Sequence, residues 1–375
     1  MSGLSVTSAP AAPARKPRMA WPDVARGLCM VIVVLWHSSL WVTEEMNKGV
    51  QGPWFRLGLF LTPLRMPLFF FISGFFATRA VRRPLAATKA RTVGMYYLYA
   101  VWTALFVSRL LLPQARGGHD LPRADQFLLA LLLPTSFWYL WCLAFYFLLT
   151  HALLKLLGDR SVWLLLPLAV LSVLAPLVRQ HTLGWVEAPL DAVKASSVLA
   201  NYLWFFGGVV LVPLWTRLME RARWAWCAIG ALAYVAIFWV ALTMGALGEI
   251  SWHMLPLSVL SLATAGQVLA LAPMDGRVGR LLQRIGRDTL PIYIFHIFLL
   301  SVFGAGVTLS GVMPTLRAHQ AVANWVLPPV MMLVFVPLAL AIAALLRSTP
   351  LGVLLKAPAR LVAAPEGVTP RRARN

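Results

Sequence analysis

Ten apolar stretches, each about long enough to cross a bilayer, limit what this chain can fold into. They lie near residues 20–43, 54–78, 92–112, 137–157, 161–178, 198–216, 224–246, 252–273, 289–311 and 322–346. A helix rises about 1.5 Å per residue, so roughly 20 mostly apolar residues cover a hydrocarbon core of about 30 Å. Of the 375 residues, 60% are hydrophobic and only 12% charged, against about 25% charged in soluble domains. A water-soluble globule has no use for that much apolar sequence. The expected fold is therefore all-α: a polytopic membrane protein built as a ten-helix transmembrane bundle. One membrane domain, residues 20–346, accounts for nearly the whole chain, between a disordered basic tail at 1–19 and a second basic tail at 347–375.

The net charge of +20 would suggest a nucleic-acid partner if the cations shared a soluble face. They lie in the connections instead. Placing the N-terminus inside puts 23 of the 33 Lys and Arg residues on the cytoplasmic side and 8 on the other, with Arg26 and Arg65 inside spans. Cytoplasmic loops carry the excess of Lys and Arg, and one miscounted helix would invert every later loop. Ten spans with both ends in the cytoplasm are thus expected, the lipid bilayer is the expected partner and nucleic acid is not.

The first 20 residues are rich in Ala, Pro and Ser and hold no apolar core, so the first apolar run reads as a retained helix rather than a cleaved signal. The stretch 124–133, ADQFLLALLL, is too short to span and reads as an interfacial or re-entrant piece. Cys29, Cys142 and Cys227 sit in separate apolar runs, which indicates neither a disulfide framework nor a metal site. No repeat of 20–50 residues and no matched pair of broken helices is visible.

Ionisable groups inside spans are costly, so each is a functional candidate. In WPDVARGLCMVIVVLWHSSLW, Arg26 and His37 are eleven residues apart. That spacing returns to within about 20° of the same helix face, roughly 16 Å along the axis. Arg65 opens RMPLFFFISGFF in the second span, where Pro67 can bend the helix and Ser73-Gly74 allows close helix approach. Arg79 and Arg82 follow one turn apart, joined by Arg83, Lys89 and Arg91. Guanidinium forks suit phosphate oxygens, whereas Lys89 and Arg91 read as topology residues. His296 is a second intramembrane imidazole, in IGRDTLPIYIFHIFLL.

Together these segments resemble the membrane-bound acyltransferase 3 family, which acylates glycans and other extracytoplasmic acceptors in bacteria. The pattern runs over residues 20–346: PDVARG with Arg26 and, ten residues intervening, His37; RMPLFFFISGFF; Arg79-x-x-Arg82; FWYLWCL; and IGRDTLPIYIFH. The resemblance implies a ten-helix core, with His37 as the essential histidine, Arg26 as its partner and Arg79 with Arg82 as the cytoplasmic arginine pair. Asp23, Arg65 and His296 stand as supporting candidates. Asp23 occupies the family's usual acidic position, three before the arginine. The chain resembles the stand-alone type without an appended hydrolase-like domain, so any onward transfer would need a separate downstream transferase.

The expected reaction moves an acyl group, most simply acetyl, from a cytoplasmic acyl-CoA to a hydroxyl of a carbohydrate or a related small-molecule acceptor. The donor's phosphates would meet Arg79, Arg82 and Arg26, and no cofactor is expected to stay bound. An imidazole of ordinary pKa, about 6.5, takes a proton from a hydroxyl at neutral pH, so His37 is expected to act as base or as transient acyl carrier. Composition suggests a high-GC bacterium and hence a multi-pass protein of the bacterial plasma membrane. The alternative is a membrane transporter or exporter that uses the same Arg and His residues to pass an acidic metabolite or an acyl group.

Overall fold

Apolar runs of this length leave the backbone no water to bond, so the polar groups of each run must pair within it, and helix is the outcome. The computed structural model describes residues 19–112, 119–182, 184–186, 190–244 and 253–363; most of the two tails, 1–18 and 364–375, falls outside this set. Among the described residues there is no strand.

The helices are α1 (Trp21–Trp41), α2 (Pro53–Phe60), α3 (Thr62–Ala77), α4 (Val93–Ser108), α5 (Ala124–Leu132), α6 (Trp138–Leu157), α7 (Leu165–Thr182) and α8 (Ala195–Val210). There follow α9 (Val212–Glu220), α10 (Trp224–Thr243), α11 (Met254–Leu271), α12 (Arg277–Arg287), α13 (Thr289–Leu309), α14 (Met313–Ala318), α15 (Gln320–Arg347) and α16 (Ala359–Val362). Among the described residues, helix runs through each of the ten apolar stretches. By length and composition six helical stretches can cross a membrane among the described residues, or eight if α2 with α3 and α8 with α9 each count as one bent span. The number falls short of ten partly because α4 has only 16 residues and partly because α6 and α7 run together as one stretch of 42.

Two of the expected continuous spans are broken. The second bends by 51° between α2 and α3, at Leu61 rather than at Pro67. Pro63 sits in the first turn of α3, where its missing N–H costs nothing and the preceding chain is turned away from helix. The sixth bends by 74° between α8 and α9, with Pro213 likewise in the first turn of α9. The short stretch 124–133 is the nine-residue helix α5, whose last carbonyls are satisfied by neighbouring side chains. The Tyr99 hydroxyl lies 2.8 Å from the Ala130 oxygen and also meets Leu133, and Trp141 Nε1 donates to Leu132 at 2.9 Å.

Lipid tails are as apolar as leucine, so close backbone approach rather than hydrophobic burial holds such helices together. The most extensive contact joins α3 to α8. There a Cβ on Gly74 would meet the Phe205 carbonyl and one on Gly208 the Phe71 carbonyl, so only glycine fits on either side. Around this crossing lies a core of fully buried rings, Phe70, Phe137, Tyr146, Phe147, Phe205 and Phe206. Leucine, valine and tryptophan side chains on α7, α10 and α15 remain exposed, including Leu166, Leu232, Trp239 and Leu333. An apolar face of that size is one that meets lipid. Helix α12, read from sequence as a basic loop, packs along the N-terminal half of α1, where the Asp23 carboxylate stands 4.0 Å from Arg287 Nε.

Candidate functional site

His37 lies in the last third of α1, with its ring against His296 of α13, centroids 4.9 Å apart. Each ring bonds the carbonyl one turn back on its own helix, His37 Nδ1 to Val33 and His296 Nδ1 to Ile292, both at 2.9 Å. A carbonyl only accepts, so each Nδ1 carries the proton and each Nε2 keeps its lone pair. His296 is fully buried, and its Nε2 has no partner among the described residues. His37 is half-buried and lines a cavity of about 380 Å³. That cavity also holds Arg65 and, from α7, α8 and α11, Ser172, Ser197, Asn201 and Ser258. The Arg65 guanidinium sits 4.7 Å over the Trp36 ring, is 7% exposed and leaves Nη1 without a hydrogen-bond partner among the described residues.

A second cavity, about 190 Å³, lies toward the N-terminal end of α1 and is lined by Arg26, Arg91, Ser73 and Thr289 among others. Arg26 is stacked 4.4 Å over the Phe76 ring. Arg91 reaches the Phe76 carbonyl at 3.4 Å. Partial burial, then the neighbouring charges of Arg26 and Arg83, hold the Arg91 guanidinium below the usual arginine range. Two repelling cations at one small cavity favour an anion between them.

The two cavities share three wall residues, Phe69, Tyr139 and Tyr293. Their rings meet in series, Phe69 tilted against Tyr139 at 4.7 Å and Tyr139 edge-on to Tyr293 at 5.3 Å between centroids. The Tyr139 hydroxyl is 2.9 Å from Ser73 Oγ, and the Tyr139 amide donates to the Tyr293 hydroxyl at 3.3 Å. The arginine cavity and the histidine cavity thus abut end to end along α1, divided by one layer of aromatic rings.

Of the residues singled out from sequence, His37, His296 and Arg65 come together and Arg26 lines the adjoining cavity. Arg79 and Arg82 do not join them. Arg79 is exposed. Arg82 donates to its own Thr78 carbonyl at 2.8 Å and borders a separate groove with Arg83, His151, Lys155 and Asp159. Arg91, read as a topology residue, is the cation that meets Arg26's cavity. Asp23 is buried and directed toward α12, in keeping with a role in holding the fold. The wall residues Tyr139 and Tyr293 lie in FWYLWCL and IGRDTLPIYIFH, two of the segments that carry the resemblance, although neither was singled out as a site residue. Cys29, Cys142 and Cys227 are buried free thiols, and no cluster of three or more His, Cys, Asp or Glu suited to a metal occurs among the described residues.

Comparison with known proteins bears on the family alone. The chain is similar to the inner membrane protein YcfT of Escherichia coli K12, 24% identical over an alignment of 353 positions that covers 83% of this chain and 85% of that protein. No solved structure matches. The model of the Acyl_transf_3 family, described as an acyltransferase domain, matches residues 19–347, and this multi-pass membrane chain belongs to that family.

Proposed function

We propose that the protein is an integral-membrane O-acyltransferase that moves an acyl group from cytoplasmic acyl-CoA to a hydroxyl of a carbohydrate or related acceptor arriving from outside. The observation that carries the reading is the pair of abutting cavities: two arginines in one, a free imidazole nitrogen in the other, and one aromatic layer between. In this reading the chain crosses the membrane ten times with both ends inside. The stretch from α6 to α7 then makes two crossings, because 42 residues of helix extend about 63 Å, twice a bilayer core. The location is the bacterial plasma membrane, in line with the inner-membrane relative.

The donor's phosphates bind at the cytoplasmic end, with Arg26 and Arg91 at the mouth of the first cavity and Arg82 in the neighbouring groove. The pantetheine arm extends along α1, a path on the order of 16 Å from Arg26 to His37, which requires the rings of Phe69, Tyr139 and Tyr293 to part. His37 Nε2 takes the proton of the acceptor hydroxyl as its oxygen attacks the thioester carbonyl. The carbon–sulfur bond breaks, an ester forms, and the proton returns to the departing thiolate, leaving free CoA and a regenerated imidazole. The Val33 bond fixes the ring with Nε2 as the base, and such a base contributes typically 10²–10⁴-fold.

The test uses purified protein in liposomes containing envelope glycans, with radiolabelled acetyl-CoA supplied on one side. Covalent label on the glycan that requires both the donor and His37 supports the reading. Label that crosses as a free small molecule, with no covalent product, contradicts it.

A further inference from the structure

Acyl transfer to a neutral alcohol puts negative charge only on the passing tetrahedral intermediate, whereas Arg65 is a permanent cation in the acceptor cavity. It is more than nine-tenths buried, its Nη1 has no hydrogen-bond partner among the described residues, and none of the described residues lining the cavity is acidic. Its guanidinium lies over the face of Trp36, which attracts a cation but offers no oxygen to Nη1. A buried charge with donors to spare is retained where a ligand completes it.

The rest of the lining describes the remainder of that ligand. Ser172 and Asn201 already donate to the carbonyls of Ala200 and Ser197, so the Ser172 hydroxyl oxygen and the Asn201 side-chain carbonyl remain as acceptors for a ligand's O–H groups. Trp138 and Trp204 offer apolar faces on the same cavity. Hydroxyl acceptors, flat apolar walls and one unmatched guanidinium are complementary to a polyhydroxylated molecule bearing an anionic group.

Resting on the reading of this cavity as the acceptor site, we propose that the acceptor is itself anionic, carrying a carboxylate or phosphate that pairs with Arg65. The pairing orients the acceptor so that a hydroxyl, not the anion, faces His37 Nε2. The guanidinium fork matches either oxyanion in bidentate fashion, and the two sources are separated by experiment.

The experiment measures thermal protection of the purified protein by three probes that share a sugar ring: glucose, glucuronate and glucose 6-phosphate. Millimolar glucuronate or glucose 6-phosphate should raise the unfolding midpoint where glucose does not. Protection by glucuronate alone assigns a sugar acid, and by glucose 6-phosphate alone a phosphorylated acceptor. Arg65→Gln should weaken that protection by about tenfold or more. Arg65→Lys, which keeps the charge and guards against a folding artefact, should retain part of it. Arg79→Gln, at an exposed position outside the cavity, should leave it intact. Equal protection by glucose, no protection by either anion, or loss in Arg26→Gln instead of Arg65→Gln would overturn the proposal. If His37-dependent transfer survives while charge preference is absent, this inference alone fails; if Arg65-dependent anion binding is found without any transfer, the acyltransferase reading fails instead.

Discussion

The Val33 carbonyl decides which nitrogen of His37 is available, because holding Nδ1–H leaves Nε2 the basic atom. If that atom is the base, His37→Ala lowers the transfer rate by about 10²–10⁴-fold with an unfolding midpoint near wild type, as initial rates and thermal unfolding together would show. The arginines separate in the same way. Arg26→Gln and Arg91→Gln should raise KM for acyl-CoA by about tenfold each, the scale of one charge-assisted contact to phosphate, whereas Arg79→Gln, at an exposed position, should change it less than about twofold. An equal or larger effect at Arg79 would return the donor site to the pair expected from sequence. His37, His296, Arg26 and Arg65 were legible because an ionisable side chain in an apolar run is expensive and needs a reason. Arg91 was not, because a cation just beyond a span is what topology alone demands.

At the scale of elements, the crossing of α3 and α8 sets the site, since α3 carries Arg65, Phe69 and Ser73 while α8 supplies Ser197, Asn201 and Trp204. Gly208→Val would drive a branched side chain into the Phe71 carbonyl. Overpacking of this kind costs about 1–3 kcal/mol, so thermal unfolding should show a lower midpoint, together with reduced transfer as Phe69 is displaced. The Ser73-Gly74 pair announced this approach in the sequence. The break at Leu61 and the helix α12 did not show: the first lies inside a stretch read as one span, and the second is so rich in arginine that its buried side, Gly279, Ile285 and Gly286, was hidden among charges. Asp23 is the sequence-level trace of that docking, and Asp23→Asn should weaken it, seen as faster proteolysis within 277–287.

For the whole molecule, the apolar run lengths made the all-helical class plain, and the 23-to-8 partition of Lys and Arg predicts the orientation that the proposed reaction needs. The two cavities were beyond its reach, because they arise where side chains from five or more helices fail to fill space, and no periodicity records that. Single cysteines placed at Lys48 and at Lys356 check the orientation: in intact cells an impermeant maleimide should label position 48 and spare position 356, and the reverse pattern would place the arginine cavity on the wrong side for a cytoplasmic donor. The central claim, that an acyl group passes from the arginine cavity to the histidine cavity through the Phe69–Tyr139–Tyr293 layer, is tested most directly by supplying radiolabelled acetyl-CoA to the cytoplasmic face of sealed inverted vesicles and counting label covalently held on envelope glycan in the lumen. Wild-type vesicles should accumulate it and His37→Ala vesicles should not, while equal accumulation in the two, or label in the lumen only as free small molecules, would contradict the claim.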